Sequence, residues 1–71
     1  MAKYGVGDRL RYIGKLYDIL KNKEVTVVWI GYHHQHCGIY YECEFVYRGQ
    51  KIILSFFEDD LQSLIDPNEV V

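Results

Sequence analysis

Apolar and polar residues alternate along much of this chain with the period of two that marks a strand covered on one face by a core. Asp8 to Ile13 sets Leu10 and Tyr12 on one side and Arg9 and Arg11 on the other, which predicts a first strand. Glu24 to Tyr32 is rich in β-branched and aromatic residues, a composition that suits a heavily buried pleated surface, and predicts a second. In it Val25, Val27 and Trp29 compete with Val28, Ile30 and Tyr32 for the inner face. The pattern leaves both orders open, and a bulge would mix them.

The period is cleanest in a third strand, Ile39 to Tyr47. Ile39, Tyr41, Cys43, Phe45 and Tyr47 point one way, and Tyr40, Glu42, Glu44 and Val46 the other. Arg48-Gly49-Gln50 then reads as a short hairpin loop. Lys51 to Phe57 returns as a fourth strand with Ile52, Leu54 and Phe56 inward. Glu58-Asp59-Asp60 breaks the alternation and suits one helical turn, and Leu61 to Ile65 makes a short last strand. Asp66-Pro67-Asn68 favours a turn and ends the ladder. Lys15 to Lys23 carries apolar residues at Leu16, Tyr17, Ile19 and Leu20, but so short a segment is marginal as a helix in water. It reads as a long ordered loop with one turn.

Five short strands, a long first loop and a helical turn before the last strand specify an all-β chain forming a small, partly open barrel. With 71 residues, 49% of them hydrophobic, and one proline, the sequence predicts a single domain over 1–71. Its core spans about 5–65, and 66–71 form a frayed tail. No apolar run approaches the roughly 18 residues of a membrane span, and the start lacks a signal-peptide pattern, so the expected compartment is the cytoplasm and no membrane is engaged.

The order Val6-Gly7-Asp8-x-Leu10-x-Tyr12, Lys23-Glu24-x-Thr26-Val27, Tyr41-x-Cys43-x-Phe45 and Phe57-Glu58-x-Asp60-Leu61 resembles the SH3-like barrel superfold. Members with this outline include the photosystem I accessory subunit, the variable chain of ferredoxin–thioredoxin reductase, ribosomal KOW-type domains and small prophage-encoded barrels. The resemblance implies the barrel itself and, from its small stand-alone members, a prophage origin. Val25 stands where such domains often carry glycine. Leu16-Tyr17-Asp18 is similar to part of the Ala-Leu-Tyr-Asp-Tyr motif of true SH3 domains, but Trp29 is the only tryptophan. The tryptophan doublet that grips polyproline ligands is therefore absent.

Charge separates along the chain. Residues 1–23 hold six basic and two acidic side chains, and residues 24–71 hold two basic and eight acidic. The later part offers an acidic patch of Glu42, Glu44, Glu58, Asp59 and Asp60, suited to a basic protein partner or to mimicry of nucleic acid. Aromatics add a second lead: with seven tyrosines, three phenylalanines and one tryptophan, a core this small cannot hide them all. Tyrosine and tryptophan are enriched at interfaces. The favoured expectation is therefore a non-catalytic protein-binding module, an adaptor, inhibitor or accessory subunit, using Tyr17, Trp29, Tyr32, Tyr40, Glu42, Glu44, Tyr47, Asp59 and Asp60. The alternative is a nucleic-acid-binding barrel in which Arg9, Arg11, Lys15, Lys21 and Lys23 contact phosphate.

A third alternative is a metal site in the His33-His34-Gln35-His36-Cys37 loop, with His34, His36 and Cys37 as its weak ligand candidates. If Cys43 lies in a strand beginning near Ile39, it stands roughly 20 Å from Cys37, too far for one ion or a disulfide. No cofactor is expected. Neighbouring strand residues point to opposite faces, so Cys37 beside His36 makes a poor nucleophile and base, and no enzymatic activity is expected. The glycines at 5, 7, 14, 31, 38 and 49 read as turn or strand-end residues rather than a phosphate loop.

Overall fold

A computed structural model describes residues 2–35 and 38–64. Its strands are β1 (Arg9–Tyr12), β2 (Glu24–His33), β3 (Gly38–Tyr47), β4 (Gln50–Phe57) and β5 (Leu61–Ser63). They form one antiparallel sheet in the order β4-β3-β2-β1-β5. Among the described residues β4 and β5 do not pair, so the curled sheet is a partly open barrel. Single 3₁₀ turns, Asp18–Leu20 in the first loop and Glu58–Asp60 before β5, are the helical elements among the described residues. The last strand, expected to reach Ile65, ends at Ser63, with Leu64 already outside it; Ile65 and the tail after it lie outside the described residues.

The alternation of β1, β3 and β4 holds. Leu10, Tyr12, Tyr41, Cys43, Phe45 and Phe56 are buried, with Ile39, Tyr47, Ile52 and Leu54 packed partly against them. The competition in β2 is resolved by a bulge. Val27 pairs with Cys43, but Trp29 pairs with Glu42, so Val28 is an extra residue and the facing reverses there. Val25 and Val27 are buried before it, and Ile30 packs on the core after it, while Trp29 turns outward. At the β3–β4 hairpin, Arg48 and Gly49 both have positive φ, 51° and 78°, the geometry of a two-residue type I′ turn.

Two tyrosines with no exposed surface carry their hydroxyls to the irregular parts of the chain. The Tyr12 hydroxyl accepts hydrogen bonds from the backbone N–H of Leu16 (2.9 Å) and Tyr17 (3.1 Å), folding the first loop inward. Tyr17 then sets its ring against those of Tyr12 and Phe56. Gly14 is required where the loop turns back, because a Cβ there would stand 2.6 Å from the Tyr12 hydroxyl and 2.9 Å from the Asp60 carboxyl carbon.

The Tyr41 hydroxyl accepts from the backbone N–H of Lys3 (2.9 Å) and Tyr4 (3.2 Å) and donates to Glu58 Oε1 (2.6 Å), which also accepts from Lys3 N–H (2.9 Å). Tyr4 thereby joins the core, its ring 5.5 Å from that of Tyr41. Burial, reinforced by the bond to Glu58, pushes the Tyr41 phenol above its ordinary pKa. That bond, with the one from Lys3 N–H, holds the Glu58 carboxyl below the usual carboxylate range.

Tyr41→Phe is expected to cost about 1–3 kcal/mol in urea unfolding, because two backbone donors and a carboxylate lose their shared partner. Exchange protection at Lys3 and Tyr4 should fall with it. The folded state holds Glu58's proton less tightly than the unfolded state, so Glu58's contribution is complete above the ordinary carboxylate range and is lost as the pH falls through its lowered value. Unfolding curves from pH 7 to 2 should show this acid loss in the wild type and less of it in Glu58→Gln.

Candidate functional site

The register lays out the outer face of the sheet in cross-strand rows. Trp29, Glu42 and Ser55 form one row on β2, β3 and β4, and Gly31, Tyr40 and Phe57 form the next. Trp29 is 58% exposed, and Phe57 38%. Tyr40 is half-buried because its ring lies over Gly31: a Cβ there would come within 2.4–2.5 Å of the ring atoms and hydroxyl of Tyr40. Gly31 is thus no strand-end residue as the sequence suggested. It sits inside β2 and gives the cross-strand tyrosine room to lie against the backbone.

His33, at the end of β2, meets Phe57 edge-on with ring centres 6.1 Å apart, across Gly38, which puts no side chain between them. Tyr32 is 53% exposed and packs edge-on against His34 at 5.3 Å. Tyr32, His33, Tyr40, Glu42, Ser55 and Phe57 line one shallow groove with an apolar floor. Glu42 is the carboxylate in this groove, and among the described residues no salt bridge engages it. Glu44 lies one row away with Lys51 Nζ at 3.9 Å.

Of the residues singled out in the sequence, the structure therefore brings Trp29, Tyr40 and Glu42 to one end of the outer face, with Glu44 beside them, while Tyr32, paired with Ile39, borders the groove from the opposite face. Tyr17 and Tyr47 face the inner side, and Arg48 stacks its guanidinium 5.2 Å from the Tyr47 ring. Asp59 and Asp60 belong to the 3₁₀ turn beyond Phe57, where they line a separate depression with Gly38 and Ile39. Glu58, counted in the acidic patch, is drawn toward Tyr41 and the N-terminal segment. Phe57, His33 and Gly31 were not singled out for the site. The available signal was the glycine inside a strand pattern, which marks a close approach by a ring or backbone.

The basic residues are dispersed. Arg9 and Arg11 lie on the outer face of β1, Arg9 in a salt bridge with Glu24, while Lys15, Lys21 and Lys23 are exposed along the first loop. His36 and Cys37 lie outside the described residues, and the described residues contain no group of three metal-ligating side chains. Cys43 is buried, and burial pushes its thiol up to about 12, a poor state for a nucleophile. No helix among the described residues is long and apolar enough to cross a membrane. Comparison of the chain with protein-family models, with curated proteins and with solved structures gives no significant match.

In NMR spectra the Gly31 Hα protons are expected well upfield of ordinary glycine values, shielded by the Tyr40 ring. Tyr40→Leu should remove that shift, whereas Gly31→Ala should leave the strand paired while displacing the ring.

Proposed function

We propose that this chain is a non-catalytic protein-binding module that presents the outer-face aromatics around Glu42 to a basic surface on another protein. The observation that carries this reading is the placement of Trp29. The bulge at Val28 turns the sole tryptophan out of the core, 58% exposed, directly opposite a carboxylate with no salt bridge among the described residues. Leaving a large ring in water forgoes burial worth about 1.5–3 kcal/mol for a bulky side chain. Aromatic anchors clustered beside a carboxylate that no salt bridge engages among the described residues match the chemistry of an interface centre, where tryptophan and tyrosine are enriched among the residues that carry the binding energy. The groove is also suited to a lysine or arginine, which would meet Glu42 by charge and the neighbouring rings by cation–π attraction.

The strand order, the long first loop and the 3₁₀ turn before β5 support assigning the barrel to the SH3-like superfold. A cytoplasmic and prophage-encoded adaptor, inhibitor or accessory subunit is the reading that follows.

The test is affinity capture from the source cell with wild-type chain, Trp29→Ala, Tyr40→Ala and Glu42→Gln, each first checked by circular dichroism for an intact fold. Proteins retained by the wild type should be lost with Trp29→Ala and Tyr40→Ala, by about 30-fold in affinity for a true anchor, and weakened with Glu42→Gln. Retention by both aromatic variants refutes the proposal.

A further inference from the structure

The free edge of β4 carries an inference that does not rest on the groove, although Ser55 belongs to both. β4 and β3 pair without interruption from Tyr40↔Phe57 to Tyr47↔Gln50 around the two-residue turn. In such a hairpin the pair closing the turn exchanges hydrogen bonds, and bonded and non-bonded pairs then alternate. Gln50, Ile52 and Leu54 accordingly direct their backbone groups to β3, and Lys51, Ile53 and Ser55 direct theirs away from the sheet. Among the described residues no strand lies on that side.

Natural sheets blunt an exposed edge with proline, bulges, charge or short length. β4 is eight residues long, has no bulge in its register and no proline, and bears one charge, Lys51, near its start. Ile52 to Phe57 is apolar but for Ser55 and is rich in strand-forming residues. Both sides of the edge call for cover. Ile53 is 52% exposed on the outer face, and Ile52 and Leu54 are only half-buried where the barrel stays open.

We infer that the β4 edges of two copies of this chain pair antiparallel about a twofold axis at Ile53, forming a homodimer with one continuous sheet. In this register the outward backbone groups of Lys51, Ile53 and Ser55 meet those of Ser55, Ile53 and Lys51 in the second copy. Ile53 lies against its equivalent on the outer face, and Ile52 meets Leu54 of the other copy on the inner face. A second copy fits because the strand is self-complementary. Its one charge falls opposite a serine, the two lysines stand roughly 13 Å apart along the strands, and Ile52, Ile53 and Leu54 each meet an apolar residue. Growth stops at two, because the opposite edge, β5, has only three residues to offer.

The experiment is light scattering of the full chain after size exclusion, from about 1 to 200 μM. The leading variant, Ile53→Lys, changes a residue outside the groove, and Trp29 and Glu42 lie two strands and one strand in from this edge; Ser55 lines the groove as well. The expected result is a concentration-dependent mass approaching twice the 8.4 kDa of one chain. Ile53→Lys, which opposes two ammonium groups across the axis, should raise the dissociation constant about 100-fold or more, with an unchanged circular dichroism spectrum. Ser55→Pro removes an outward N–H that β3 does not use and should also give a monomer. A wild type that stays at the mass of one chain throughout overturns the inference. So does a dimer that survives Ile53→Lys, or assembly that grows beyond two.

Discussion

The buried tyrosine hydroxyl is the interaction on which the rest of this structure depends. A barrel of this size has little apolar mass, and rings as large as Tyr12 and Tyr41 fill much of it. Each ring ends in a polar group that cannot be left in the core without a partner. Both hydroxyls reach the rim of the barrel and bind main-chain N–H groups that no strand would satisfy, those of Leu16 and Tyr17 on one and of Lys3 and Tyr4 on the other. The polar requirement of the core and the orphan donors of the loops are met by the same bonds. A chain with few helices and a long first loop is thereby ordered well beyond its sheet.

The second constraint is the extra residue at Val28. Without it, Val25, Val27 and Trp29 would all face inward, and the tryptophan would compete with Tyr41 for the middle of the barrel. The bulge gives the first half of β2 to valines and the second half to Ile30, and returns Trp29 to the surface beside Glu42. One inserted backbone unit thus separates the packing role of β2 from its surface role. Gly31 extends the same economy, letting Tyr40 lie flat where a side chain would have forced it upright.

Most of the strand plan was legible because period-two alternation is a direct imprint of one-sided burial. Leu10 and Tyr12, Tyr41 to Phe45, and Phe56 all lie where the alternation puts them. The facing of β2 was not legible, since a run of β-branched and aromatic residues on both faces carries no period, and a bulge is decided by the pairing partner. Tyr4 escaped notice for a related reason. It belongs to no strand, and its burial depends on a hydroxyl far along the chain, that of Tyr41, which accepts from its backbone N–H. The gathering of Trp29, Tyr40 and Phe57 into one patch is likewise a fact of register, as these residues are distant in sequence and adjacent only across the ladder. Charge totals misled most about Glu58, whose carboxylate serves an internal bond.

Cys43 sits at the centre of β3 with no accessible surface, and its thiol, pushed up to about 12, stays protonated at physiological pH. A thiol so enclosed has no chemistry to offer while the barrel is shut, since alkylating and oxidising reagents act on an accessible thiolate. Its modification must wait for β3 to part from a neighbour. The residue is then a clock for the breathing of the fold, recording how often the middle of the molecule comes apart.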